Sequence, residues 1–207
     1  MSLERIPGRL RTAVEAFRLD RARGAVLLAV IALVLLLGAG GDDVTRALRY
    51  ERTALAGGEL WRLVSGHLVH LNTGHLLLNV AGLGMVWLLF AIEYALGRWA
   101  LVTAASLLAM DAGFWWLMPG LFWYVGLSGL LHGLFAAGCV RWIARGARDG
   151  WLVAAIFAAK LAWEQAAGPL PFTEGPTGGP VVVEAHLFGA AGGTLAALVF
   201  AVRDRHV

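Results

Sequence analysis

Residues 121–140 read LFWYVGLSGLLHGLFAAGCV. The run holds no Asp, Glu, Lys or Arg. Pro119-Gly120 precede it and Arg141 follows it. Crossing a hydrocarbon layer takes about 20 such residues in a helix. One span cannot make a fold, so the question is what flanks it. Working outward, five further apolar runs appear, near 24–41, 67–91, 99–118, 151–167 and 181–202. Six spans would use about 120 residues. The composition agrees: 59% of the 207 residues are hydrophobic and only 15% are charged. Soluble domains have about 45–50% and about 25%. Disorder is excluded, and the composition argues against an ordinary soluble enzyme. The expected fold is an all-α membrane protein, a bundle of six transmembrane helices over 24–202. A basic segment, 1–23, precedes it and a short tail, 203–207, follows.

Charge sets the orientation. The segment 1–23, the 92–98 turn, the 141–149 loop and the tail hold most of the arginines. The opposite side holds Arg46, Arg49, Arg52 and Arg62, balanced by Asp42, Asp43, Glu51 and Glu59. Cytoplasmic loops carry the excess of Arg and Lys, so both termini are expected in the cytoplasm. The arginines form no single basic surface, so no nucleic-acid partner is expected; the lipid bilayer is. A basic start before a short apolar run also fits a signal peptide. The length of the basic region and the spans that follow favour a retained helix. Trp115, Trp116, Trp123 and Tyr124 fall at the outer ends of two spans, as an aromatic belt would. The single cysteine, Cys139, excludes an intramolecular disulfide and a Cys-based metal cluster.

Polar residues inside spans are costly and usually functional. Ser128 lies in the quoted run, His186 in the sixth, and His70, His75 and Asn79 in the second. Counted from the outer ends, Ser128, His186 and His75 sit about seven, five and eight residues in, or about 8–12 Å deep. A serine needs a neighbouring base to become a nucleophile, and histidine is the usual one. Gly129 with Gly133, and Gly189 with Gly193, give the Gly-x-x-x-Gly spacing that lets two helices approach. Generic helix packing would use the same glycines. His75 and Asn79, four apart, share a helix face and can donate hydrogen bonds to an oxyanion, with the Ser128 N–H as a further donor. A polar pair gluing helices together is the bland alternative.

In this combination the chain resembles a rhomboid intramembrane serine protease. The matching elements are Trp61-Arg62 before the second span, His70 with His75 and Asn79, Gly126-Leu127-Ser128-Gly129, and Ala185-His186 with Gly189 and Gly193. The resemblance implies a Ser128–His186 dyad with no acidic third member. It implies an oxyanion hole of His75, Asn79 and the Ser128 N–H, and no cofactor or metal. His70 would tie the first external loop to the helices, and Trp61 and Arg62 would anchor that loop in the outer leaflet. The segment 126–133 and Lys160 to Gln165 further resemble the rhombosortases. These are bacterial relatives paired with exported substrates that end in a Gly-Gly motif, a hydrophobic helix and a basic tail. The implied place is the bacterial inner membrane, with the site open to the periplasmic side.

Other residues carry less. His132 stands where typical rhomboids have an aromatic ring against the catalytic histidine. It can replace that ring, tune the charge on His186, or act as the base itself. Lys160 and Glu164 form an i, i+4 pair that can neutralise itself. Asp111 either faces a hydrated cavity or bonds a histidine. The loop 168–180, with four prolines and four glycines, is a lid or a passive connector. Two rival functions stand beside the protease. One is a transporter or channel using intramembrane histidines such as His67. The other is a catalytically inactive rhomboid-like binding protein. No His-Glu-x-x-His sequence points to a metalloprotease.

Overall fold

The computed structural model describes residues 21–171 and 173–205. Most of the basic segment 1–23, and residues 206–207 of the tail, lie outside the described residues. Six long helices organise the rest: α1 (Arg21–Ala39), α2 (Thr73–Phe90), α3 (Leu96–Ala112), α4 (Ser128–Ala144), α5 (Arg148–Ala167) and α6 (Val183–Arg203). Among the described residues, four stretches are long and apolar enough to cross a membrane: Arg21–Ala39, Thr73–Phe90, Leu96–Leu117 and Val183–Arg203. The helix α4 is shorter, at 17 residues. The helix α5 carries Arg148, Asp149, Lys160 and Glu164 within its length. Large apolar side chains such as Leu36, Leu108, Trp116, Leu152 and Leu195 are exposed around the bundle. An exposed apolar shell of this extent is what lipid contact requires.

The centre is a pair of parallel helices. A Cβ on Gly189 would lie 2.0 Å from the Gly129 carbonyl oxygen, and one on Gly193 2.0 Å from that of Gly133. The repeat of the contact at i+4 on both helices makes α4 and α6 run side by side in the same direction. Any side chain there would separate them. On an adjoining face of α6, Gly192 packs against the backbone of Ala105 and Ser106 in α3. The base of the bundle is held by charges. Arg98 and Arg141 both donate to Asp204, at 2.7 and 2.8 Å. Trp142 and Arg145 donate to the two oxygens of buried Glu93.

Several element boundaries differ from the expected ones, each for a local reason. The second span was expected from residue 67. The helix starts at Thr73 because Asn72, in extended conformation, accepts from the His75 N–H at 2.8 Å and caps it. The fourth was expected from residue 121. Gly126 has φ of +127°, which an L-residue rarely adopts, and α4 begins only at Ser128. Residues 123–124 instead pair antiparallel with Tyr50–Glu51, so the fold is not purely helical. Ser128 therefore opens its helix rather than lying deep within it. The third span ends in a wider turn, Gly113–Leu117. Its loose carbonyls are met by the Arg52 guanidinium, which donates to Phe114, Trp115 and Met118. The expected 42–66 connector contains three short helices, Gly41–Leu48, Arg52–Ala56 and Arg62–Ser65.

Candidate active site

The starts of α2, α4 and α6 meet at one end of the bundle. Ser128 is the first residue of α4, and His186 lies in the first turn of α6. The His186 Nε2 is 2.9 Å from the Ser128 Oγ. The close packing of Gly129 against the Ala185 carbonyl, at 2.8 Å from its would-be Cβ, is what lets the two side chains meet. The approach to Ser128 is fixed as well. The Tyr124 hydroxyl donates to the Gly126 carbonyl at 2.8 Å, and the Gly126 N–H donates to the Gly66 carbonyl. Tyr124 is accordingly buried, unlike the exposed Trp115, Trp116 and Trp123, and so falls out of the expected aromatic belt.

His75 lies in the first turn of α2, its ring 2.9 Å from where a Gly126 Cβ would stand. Asn79 follows one turn later and donates to the His75 carbonyl at 3.0 Å. Both are buried, and both line, with Ser128 and His186, a cavity of about 690 Å³. The first N–H groups of a helix have no carbonyl one turn back to bind. Ser128 thus presents a hydroxyl and a helix N-terminus to the same cavity, which suits a developing negative charge. The four residues singled out from sequence are brought together.

Of the supporting residues, Arg62 behaves differently from expectation. Arg62 does not reach into an outer leaflet. It is buried, donating to Glu59 at 2.6 Å and to the carbonyls of Arg46 and Arg49 at 3.1 and 2.8 Å. Its role is to tie the connector to the end of the Gly41–Leu48 helix. Trp61 beside it is exposed. His70 makes its tie through the backbone, its carbonyl accepting from Thr45, while its ring stands edge-on to His75 at 5.0 Å. Asp111 bonds a histidine: its carboxylate lies 3.2 Å from the Nε2 of buried His67.

The sequence left one contact unforeseen. The Oε2 of Glu164, on α5, lies 3.0 Å from the His186 Nδ1. A dyad without an acidic neighbour is therefore not what the structure contains. The same oxygen accepts from Lys160 at 2.7 Å, so the i, i+4 pair exists but is not self-contained. Lys160 also bonds the His132 Nε2. The His132 ring stacks on His186, 4.0 Å between centroids and 10° from parallel. Its Nδ1 is 2.7 Å from the Ser128 carbonyl. Neither nitrogen of His132 addresses the Ser128 hydroxyl, so it takes the place of the packing ring and not of the base. The available signal was an ion pair inside an apolar run, one turn apart, with no hydropathic need for it.

Ligand atoms of His132, Glu164 and His186 lie within 4.8 Å of one another, a spacing that a metal ion can use. The Lys160 ammonium lies within hydrogen-bond distance of all three, and so places a cation of the protein's own beside the cluster. The 168–180 loop contains a short helix, Glu174–Thr177. Leu170, Thr173, Thr177 and Pro180 contribute to the cavity wall, so the loop covers the site.

A family model for the rhomboid domain matches residues 57–203, and the chain belongs to the rhomboid family. No curated protein matches the chain. Membership points to a serine peptidase held in a membrane.

Proposed function

We propose that the protein is an intramembrane serine endopeptidase in which Ser128 is the nucleophile and His186 the general base. The observation that carries this is the 2.9 Å contact between the His186 Nε2 and the Ser128 Oγ at the start of a helix. Ser128 attacks the scissile carbonyl while its proton passes to His186. The tetrahedral oxyanion is met by the Ser128 N–H, His75 and Asn79. His186 then protonates the leaving amine, and water releases the acyl group in the reverse sense.

The proposed setting is six spans with both termini cytoplasmic, in the bacterial inner membrane. The six long helices and the arginines near one end of the bundle support it. The proposed substrates are exported proteins anchored by a hydrophobic helix, with a Gly-Gly motif before it and a basic tail after it, as rhombosortases take. The shape of the cavity supports this. Leu78, Met85, Phe135 and Ile156 make a long apolar wall, and the polar groups gather at one end. An apolar helix fits the wall, and glycines leave a helix at least cost.

A serine-directed fluorophosphonate tests the assignment in isolated membranes. The parent should label and the Ser128→Ala variant should not. Absence of labelling in both, with no cleavage of a Gly-Gly reporter, would favour an inactive rhomboid-like binding protein or a transporter.

A further inference from the structure

We propose that Glu164 is a positioning residue that completes a Ser128–His186–Glu164 relay, with Lys160 and His132 holding its carboxylate. This rests on the assignment of Ser128 and His186 above. The argument is one of proton placement. For His186 to take the Ser128 proton, Nε2 must be the bare nitrogen and Nδ1 must carry the hydrogen. The only atoms hydrogen-bonded to Nδ1, among the described residues, are the Glu164 Oε2 at 3.0 Å and the Lys160 Nζ at 3.5 Å. They ask for opposite tautomers. The carboxylate accepts a hydrogen from Nδ1, and the ammonium would donate one to it.

The remaining contacts decide between them. Lys160 directs two of its three hydrogens to the Glu164 Oε2 at 2.7 Å and to the His132 Nε2, and its contact to Nδ1, at 3.5 Å, is longer than that of the carboxylate, at 3.0 Å. With Nε2 of His132 accepting, its Nδ1 carries the hydrogen and donates to the Ser128 carbonyl, 2.7 Å away. Every group then has one consistent role. Ser128 donates to His186, His186 to Glu164, Lys160 to Glu164 and His132, and His132 to the Ser128 backbone. Glu164 is almost wholly buried, at 3% exposure. An ionised carboxylate there requires a cation and hydrogen bonds, and Lys160 supplies both. As Ser128 attacks, its proton moves to Nε2, the imidazolium forms, and the Nδ1 hydrogen stays shared with Glu164. No proton leaves the carboxylate's partner, and the positive ring gains a facing negative charge.

Removing Glu164 has a particular consequence. Lys160 would become the nearest partner of Nδ1 and would favour the tautomer with Nε2 protonated, which cannot accept from Ser128. The test is the rate constant for fluorophosphonate labelling of Ser128 in the full-length protein. Melting temperatures are followed in parallel. Glu164→Gln should slow labelling by at least about 100-fold, the scale on which tautomer errors act in serine hydrolases. Glu164→Asp should recover part of the loss.

The Lys160→Met/Glu164→Gln double variant separates positioning from charge balance. It removes both charges together and so spares the fold an unpaired ion. Under the proposal it melts near the parent and, although Lys160 no longer biases the tautomer, it still labels at least about tenfold more slowly than the parent because no negative charge faces the imidazolium. Recovery of the parental rate in the double variant would overturn the proposal, because Glu164 would then serve only to neutralise Lys160. Parental labelling of Glu164→Gln alone would overturn it as well. If the parent itself fails to label, the assignment of Ser128 falls, and that outcome is distinct from either.

Discussion

The rings of His132 and His186 lie face to face, 4.0 Å apart and 10° from parallel. His132 sits one turn after Ser128 on α4, so the same helix that presents the nucleophile also presents the plate on which the base rests. The ring fixes the plane of His186, and its Nδ1 returns to the Ser128 carbonyl. Stacked rings are worth about 0.5–1.5 kcal/mol beyond burial, and a hydrogen bond adds about 1 kcal/mol. A rate falls tenfold for each ~1.4 kcal/mol. His132→Phe keeps the plate and loses the bonds to the Ser128 carbonyl and to Lys160, and should slow labelling of Ser128 by up to about 25-fold. His132→Ala loses the plate as well and should slow it by up to about 300-fold. Equal losses in the two variants would show that the ring's shape does not matter.

Arg62 gives a prediction about the loop that frames the site. Its guanidinium bonds one carboxylate and two carbonyls from a buried position. Hydrogen bonds to charged groups contribute about 1.5–3 kcal/mol, and a lysine cannot reproduce the planar fork. Arg62→Ala should lower the melting temperature and open the 41–66 connector to proteolysis. Arg62→Lys should recover only part of the loss. Limited proteolysis in detergent, with the cut sites mapped, checks both. Cuts elsewhere would point to a general loss of fold.

How far the sequence carried the structure can be judged on particular residues. The long helices follow the apolar runs because burial in lipid demands continuous hydrophobicity. The meeting of Ser128 and His186 was legible because Gly129, Gly133, Gly189 and Gly193 mark one face on each helix. The start of α4 was not, since an apolar run does not reveal that Gly126 takes a positive φ. Glu164 was missed for a different reason. A helix that is apolar all round carries no stripe to show which way it faces. The rotation of α5 against α6 was therefore invisible, and the Lys160–Glu164 spacing looked self-sufficient. Arg62 was misplaced because an arginine beside an exposed tryptophan reads as an interface anchor, while its buried acceptors are backbone carbonyls that no side-chain pattern records.

The opposite end of the bundle responds to pH. The Arg98 guanidinium, and Arg141 beside it, hold the Asp204 carboxyl at about 2, below its ordinary range. A carboxylate depressed in the folded state stabilises the fold above its unfolded value, and the contribution is lost as pH falls through the folded one. The clamp should thus be complete at neutral pH, weaken below about 4, and vanish near 2. Asp204→Asn should lower the melting temperature slightly at pH 7. The gap between variant and parent should close in acid. Because the clamp is solvent-exposed, molar salt should shrink the gap too. A gap that widens on acidification would reverse the sign of the linkage.

The glycine seam between α4 and α6 can be tested against an internal control. At Gly189 a methyl group would stand 2.0 Å from the Gly129 carbonyl oxygen. That neighbour is backbone, which cannot rotate away, so the two helices must part. Overpacking of this kind costs about 1–3 kcal/mol. The parting also lengthens the His186–Ser128 contact, because His186 precedes Gly189 by one turn on the same face. At Gly84, in the middle of α2, a methyl group would meet nothing within 4 Å. Alanine there gains about 0.5–1 kcal/mol of helix stability over glycine. Gly189→Ala should therefore lower the melting temperature and nearly abolish Ser128 labelling, while Gly84→Ala should leave labelling intact and raise the melting temperature. Thermal shift and labelling on the same preparations read both. Parental labelling of Gly189→Ala would mean that the close approach of the two helices is not what brings His186 to Ser128.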